Sequence, residues 1–122
     1  MSNIQQTILF VHWNASEAKE LSAPLRKEGW NVAIEHGEGA ISLSQLKTHP
    51  PAAVVISLRR LPSHGREFAD GLWGAKWGRS IPIIFVDGES EKVQMLRKQF
   101  PAAQFTSYNK LIAHLNKLFN KA

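Results

Sequence analysis

The chain has 122 residues, 43% of them hydrophobic, which suits one domain with a continuous core. It contains no cysteine, so disulfides, thiolate catalysis and cysteine-ligated zinc are excluded. The formal net charge is +5, but no run of five like charges occurs, so we expect a solvated basic surface and no nucleic-acid partner. The apolar runs are too short to cross a membrane and the first residues lack a secretory pattern. We therefore expect one cytoplasmic domain over residues 1–122.

Short apolar runs alternate with helix-like segments, which is typical of a parallel sheet with helices on its faces. Strands are predicted, in chain order, at residues 7–12, 30–35, 53–57, 81–86 and 104–106. Helices are predicted at residues 14–28, 41–47, 66–77, 89–100 and 109–121. The first, third and fourth strands are apolar throughout, so they are predicted to form the buried centre of the sheet.

Two of the predicted helices contain residues that oppose helix formation. Asn14 can cap the first helix and Gly29 can end it, but Pro24 removes an interior hydrogen bond, so this helix should be bent or short. The third helix should fray because it contains or borders three glycines. These are Gly71, Gly74 and Gly78.

Trp73 and Trp77 lie four residues apart on the third predicted helix. We expect them to pack in the core, although an exposed pair would form an interaction patch. The sequence alone does not decide between these two placements.

The order of the elements and several local sequences resemble the receiver domain of bacterial two-component response regulators over nearly the whole chain. The similar segments are residues 8–11 and 25–32, residues 51–56 followed by Leu61-Pro62 and Gly65, and residues 81–86. The resemblance implies an α/β, doubly wound (βα)5 fold. This is a flavodoxin-like, three-layer sandwich with a parallel five-stranded sheet in strand order 2-1-3-4-5.

The positions that carry phosphotransfer in receivers hold other residue types in this chain. The resemblance places the acidic pair of a receiver at His12 and Trp13, and the phosphoacceptor aspartate at Ser57. It places the hydroxyl residue that ends the fourth strand at Asp87. The lysine that ends the fifth strand falls on Tyr108 or, in a second register, on Ser107. Magnesium requires oxygen ligands, and an acyl phosphate requires a carboxylate. The sequence therefore predicts a degenerate pseudo-receiver site with no catalytic residue, metal or cofactor, in which Trp13 fills the vacated metal position.

Our leading hypothesis is a stand-alone signalling or regulatory module that is not phosphorylated in the usual way, is not an enzyme and acts by protein–protein interaction. The resemblance implies that the face of the fourth helix, fifth strand and fifth helix contacts another protein or a second copy in a homodimer. The candidate residues on that face are Met95, Lys98, Tyr108, Leu111 and His114.

Two alternatives come from other functional classes. A basic loop could bind an anion or nucleic acid through Arg59, Arg60, His64 and Arg66. A small hydrolase could use Ser57, His12 and Asp87 as nucleophile, base and orienting carboxylate, although no G-x-S-x-G elbow surrounds Ser57. The partner, the pathway, the oligomeric state and any small ligand of the crevice stay open at this point.

Overall fold

Five parallel strands form one sheet in the computed structural model of the chain, which describes residues 7–35, 43–59 and 62–119. The strands are β1 (Thr7–Val11), β2 (Asn31–Glu35), β3 (Ala53–Ser57), β4 (Ile83–Val86) and β5 (Gln104–Thr106). The helices are α1 (Ala15–Lys27), α2 (Leu43–Thr48), α3 (Pro62–Trp73), α4 (Ser90–Gln99) and α5 (Tyr108–Leu118). A short 3₁₀ helix, Trp77–Ser80, precedes β4. No helix within the described ranges combines the length and apolar character needed to cross a membrane.

The strand order is β2-β1-β3-β4-β5, and every neighbouring pair is parallel. This confirms the predicted doubly wound α/β fold with strand order 2-1-3-4-5. Strands β3 and β4 are buried along their whole length, as their apolar sequences predicted. Edge strand β5 is only half-buried.

The sheet has a separate apolar core on each face, because side chains alternate between the faces along a strand. On one face, Leu9, Ile56 and Phe85 pack beneath α2, α3 and α4. On the other face, Ile8 and Phe10 pack beneath α1 and α5. The helices are thus divided between the two outer layers of a three-layer sandwich.

Helix α1 begins and ends as the sequence predicts. The side chain of Asn14 accepts the N–H of Glu17 at 2.9 Å, and Gly29 adopts a φ of 96° just beyond the helix. The helix continues through Pro24 to Lys27, so the proline does not shorten it. Because Pro24 and Glu20 are both exposed, water can reach the carbonyl that loses its N–H donor.

Helix α3 differs from its prediction at both ends. It begins at Pro62, four residues early, since proline is favoured in the first turn of a helix. It ends at Trp73, and the chain then turns into the 3₁₀ helix, so the predicted helix over residues 66–77 is wrong in its bounds. Gly78 is required in that turn, because a Cβ atom there would lie 2.0 Å from the carbonyl oxygen of Leu72.

Trp73 and Trp77 are both half-buried and pack against the core beneath α3 and α4. The indole N–H of Trp73 donates to the carbonyl oxygen of Ile81 at 3.0 Å. The ring of Trp73 also meets Phe100 edge-on, with 5.8 Å between the centres. Core packing is therefore the main role of the pair.

Candidate functional site

The carboxyl ends of β1, β3 and β4 bring several predicted site residues to one edge of the sheet. His12 follows β1, Ser57 ends β3, and Asp87 follows β4, while Tyr108 opens α5 just after β5. In an open parallel sheet this edge is the usual place for a ligand. The local contacts decide what chemistry these side chains can perform.

Asp87 connects three segments of the chain through its backbone and carboxylate. Its N–H donates to the carbonyl oxygen of Thr106 at 3.2 Å. Its Oδ1 accepts the N–H of Tyr108 at 3.2 Å, and its Oδ2 accepts Nε of Arg59 at 3.3 Å. The backbone φ is 59°, in the left-handed region that aspartate tolerates better than most residues. The carboxylate therefore has partners supplied by the protein itself.

Arg59 lies between the Asp87 carboxylate and an aromatic ring. Its guanidinium carbon is 5.2 Å from the centre of the Tyr108 ring, within the range of a cation–π contact. The side chain is 46% exposed, so solvent weakens both contacts without removing them. Arg59 thus takes part in an internal network, which competes with its predicted role as an anion donor.

The rest of the predicted anion-binding loop is only partly described. Arg60 and the side chain of His64 lie outside the described residues, and Arg66 is half-buried on α3. The contacts of Arg59 therefore give no support to a shared anion site in this loop.

Tyr108 occupies the position that the resemblance assigns to a lysine. Its ring meets Phe10 edge-on at 6.0 Å between centres. Burial raises the pKa of the Tyr108 phenol well above its usual value, and the Asp87 carboxylate raises it further, against the opposing effects of the Ser57 side chain and the Arg59 cation. The residue is consequently neutral at physiological pH and supplies no positive charge.

Ser57 is 4% exposed at the end of β3. Its hydroxyl oxygen accepts the N–H of Arg59 at 3.3 Å. The position that the resemblance assigns to the phosphoacceptor therefore holds a buried hydroxyl group, whose oxygen accepts a backbone N–H of the following loop. A hydroxyl group cannot form an acyl phosphate.

His12 is fully buried just after β1. Its Nδ1 accepts the N–H of Asn14 at 3.0 Å, so the proton of the neutral ring is on Nε2. Nε2 lies 3.4 Å from Oε1 of Glu17, in the first turn of α1. The half-buried Trp13 ring stacks against His12 with 6.2 Å between centres. The end of β1 thus presents aromatic rings where a receiver needs carboxylates.

These residues do not fit a magnesium ion. The carboxylate of Glu17 faces His12. The carboxylate of Asp87 accepts Nε of Arg59 and the N–H of Tyr108. Across the described ranges, no three His, Cys, Asp or Glu side chains lie together as a metal site would require. Magnesium demands several oxygen ligands in near-octahedral geometry, and neither imidazole nor indole supplies them.

The contacts also do not form a hydrolytic relay. A triad needs Asp87 to hold the histidine while the histidine reaches the serine. Here Nδ1 of His12 accepts a backbone N–H, Asp87 is bound by Arg59, and Ser57 is bound by a backbone N–H. None of these contacts is one of the two that a triad requires, between the carboxylate and the histidine and between the histidine and the serine.

The residues predicted for the interaction face do not all share one surface. Met95 is 44% exposed and Lys98 is exposed, both on α4. His114 on α5 hydrogen-bonds Gln104 on β5. Tyr108 belongs to the group of residues at the carboxyl edge of the sheet. Leu111 is 2% exposed within the core beneath α1 and α5, so the structure removes it from that face. Helical spacing turns it toward the sheet.

Two residues of these regions, Glu17 and Arg97, were not among the predicted site residues, and Asn14 was predicted only as a helix cap. Glu17 faces His12, Asn14 fixes the tautomer of that ring, and Arg97 lies over the ring of Phe105 at 4.6 Å. Glu17 could have been found from its place in the first turn of the helix that Asn14 caps. Arg97 gave no comparable signal, because its contact depends on how α4 packs against β5.

No protein-family model matches the sequence, and no curated protein matches it. Solved structures match over almost the full length. A response-regulator signal receiver domain from Bermanella marisrubri has a TM-score of 0.74 and 21% identity, with 95% of this chain and 99% of that chain covered. The receiver domain of a sensor histidine kinase from Pseudomonas aeruginosa PAO1, which coordinates magnesium in its active-site cleft, has a TM-score of 0.69 and 20% identity, with 93% and 97% covered.

The fold of this chain is that of response-regulator receiver domains. A de novo designed Rossmann 2x3 protein also matches, with a TM-score of 0.69 and 12% identity over 93% of this chain and 91% of the designed one. Likeness at this level therefore establishes architecture, and function has to be argued from the site.

Proposed function

We propose that this chain is a receiver-like signalling module that is not phosphorylated at its strand ends and acts by contact with another protein. The receiver fold supports the signalling role. The rest of the proposal follows from the residues at the carboxyl edge of the sheet.

The observation that carries the proposal is the placement of Ser57 and Asp87. Ser57 stands where the phosphoryl group would be accepted, buried and bound to the N–H of Arg59. The Asp87 carboxylate is satisfied by Arg59 and by the N–H of Tyr108. Among the described residues of this edge, the acceptor position holds no carboxylate, and the carboxylates of Glu17 and Asp87 already have protein partners. These residues therefore lack both the chemical group and the charge that phosphotransfer needs.

Acetyl phosphate with magnesium tests the proposal directly. We expect the intact mass of the protein to stay unchanged under conditions in which a receiver domain with an intact aspartate gains one phosphoryl group. A phosphoryl adduct on this chain would refute the proposal. The Ser57→Ala variant then tells whether the adduct is on Ser57 or on another residue.

A further inference from the structure

The two signs of charge are divided along the chain. Residues 1–91 contain nine Lys and Arg and ten Asp and Glu, whereas residues 92–122 contain six Lys and Arg and no Asp or Glu. The whole positive excess therefore belongs to the part of the chain that includes most of α4, β5 and α5. These cations form no long run of like charge, because neutral residues separate all of them except Arg97 and Lys98.

The structure gathers part of this charge around the edge strand β5. Arg97 reaches from α4 over Phe105, while His114 reaches from α5 to Gln104, so both outer layers meet at this strand. On α5, one lysine lies four residues before His114 and another three residues after it, which places both on the same side of the helix. The exposed cations Arg97, Lys98, Lys110 and Lys117 are called the basic edge below.

A second copy of the chain is a poor partner for the basic edge. A two-fold symmetric dimer places the same patch of both subunits in contact. The basic edge would then meet itself. Strand β5 and helix α5 contain no acidic residue, and the one on α4, Glu91, lies in the first turn, at the opposite end of the helix from Arg97 and Lys98. Like charges brought together at an interface oppose association. The charge therefore argues against the homodimer that the sequence analysis left open on this face.

Nucleic acid is also disfavoured, because the aromatic rings of this edge are already covered. Phe105 is stacked on Phe85 on one side, at 5.2 Å between centres, and lies beneath Arg97 on the other. Tyr108 lies beneath Arg59. Phe105 therefore offers no free face for base stacking, and one face of Tyr108 is occupied by Arg59. Base stacking on aromatic rings is the usual second component of single-strand binding.

We infer that the basic edge binds an acidic face of a different protein, and this rests on the proposed function as a protein-contact module. Complementary charge speeds encounter and excludes wrong partners, and its effect weakens as salt is added.

The first experiment measures binding of a fluorescent polyglutamate peptide and of a DNA duplex of equal charge. The variant Arg97→Glu/Lys110→Glu/Lys117→Glu reverses the basic edge. We expect the wild-type protein to bind the peptide at low salt and the variant to bind about tenfold more weakly, as loss of several exposed charge pairs predicts. A second variant, Lys110→Gln/Lys117→Gln, leaves Arg97 over Phe105 and should show a smaller loss in the same direction.

The matched control carries the same change of net charge elsewhere. Lys27 on α1, Lys47 on α2 and Lys76 before the 3₁₀ helix are exposed and lie outside the basic edge. Replacing these three lysines by glutamate should weaken peptide binding by less than about threefold. Equal losses in the two triple variants, or no peptide binding by the wild-type protein, would overturn the inference. DNA bound more tightly than the peptide, and lost on reversal of the basic edge, would assign the surface to nucleic acid instead.

Sedimentation at low salt tests the argument against self-association. A dimer that forms in the wild-type protein and disappears in the charge-reversed variant would contradict it, whereas a monomer or a dimer unaffected by that variant agrees with it. The two proposals can fail separately. A phosphorylated protein that still binds the peptide through the basic edge refutes the proposed function alone, and an unphosphorylated protein without such binding refutes this inference alone.

Discussion

Nε of Arg59 lies 3.3 Å from Oδ2 of Asp87, so a cation from the loop after β3 neutralises the carboxylate that follows β4. The other oxygen of that carboxylate accepts the N–H of Tyr108 at the start of α5. The loops after three strands are thus joined by protein groups alone. The proposed function rests on this network, in which the Asp87 carboxylate already has two protein partners.

Substitution of Asp87 should reduce stability more than loss of its ion pair explains. Asp87→Ala removes the acceptor for Tyr108 N–H and places alanine at a φ of 59°, each at a cost of about 1 kcal/mol. We expect the free energy of unfolding in urea to fall by about 2 kcal/mol. Asp87→Asn keeps an acceptor and tolerates the left-handed backbone, so its cost should stay below about 1 kcal/mol.

Arg59→Met is the control for the ion pair in this network. Because the Arg59 side chain is 46% exposed, solvent screens the pair, and its loss should cost less than about 1 kcal/mol. If Arg59→Met destabilised the protein more than Asp87→Ala does, the ion pair rather than the backbone role of Asp87 would hold these loops together.

The glycines near the end of α3 should respond oppositely to alanine. At Gly78, the new Cβ would lie 2.0 Å from the carbonyl oxygen of Leu72, a backbone atom that cannot turn aside, so Gly78→Ala should lower the free energy of unfolding by about 1–3 kcal/mol. Gly71 is exposed within α3, so Gly71→Ala should raise it by about 0.5–1 kcal/mol. Thermal or urea unfolding of the two variants measures these changes in the free energy of unfolding. Effects of the same sign would contradict the close packing described for Gly78 or the exposure described for Gly71.

Tyr108 is the single tyrosine of the chain, so tyrosinate absorbance reports its titration alone. Burial raises its pKa, and the folded protein should therefore titrate above the usual value of about 10 found in the unfolded chain. Above about pH 10 the unfolded state releases the proton first, so the free energy of unfolding falls as pH rises. Tyr108→Phe should lose that part of the pH dependence. Titration of the folded protein near the usual value would show that the phenol is not buried as described.

The fold followed from the sequence because its signals are local. Apolar runs predicted β3 and β4, the cap Asn14 and the turn residue Gly29 bounded α1, and family resemblance supplied the strand order. The start of α3 was missed, since the helix was predicted to begin at Arg66, whereas Pro62 is a favourable first residue of a helix.

The contacts of the site could not be predicted in the same way. Arg59 and Asp87 are 28 residues apart, and their pairing depends on the register of β3 against β4 and on side-chain rotamers. The hydrogen bond from the N–H of Asn14 to Nδ1 of His12 likewise depends on the path of the chain between β1 and α1. The sequence located the edge of the sheet where these residues meet, and the structure showed which of them bind each other.

Magnesium titration followed by backbone amide NMR shows whether the carboxyl edge of the sheet can hold a metal ion. We expect no saturable shift of the amide resonances of His12, Ser57 or Asp87 at millimolar magnesium, because the only carboxylate among these three residues is already bound by Arg59 and Tyr108. Saturable shifts centred on these three residues, and absent when a sodium salt is added to the same ionic strength, would show a working metal site. They would contradict the proposal that this edge does not hold magnesium.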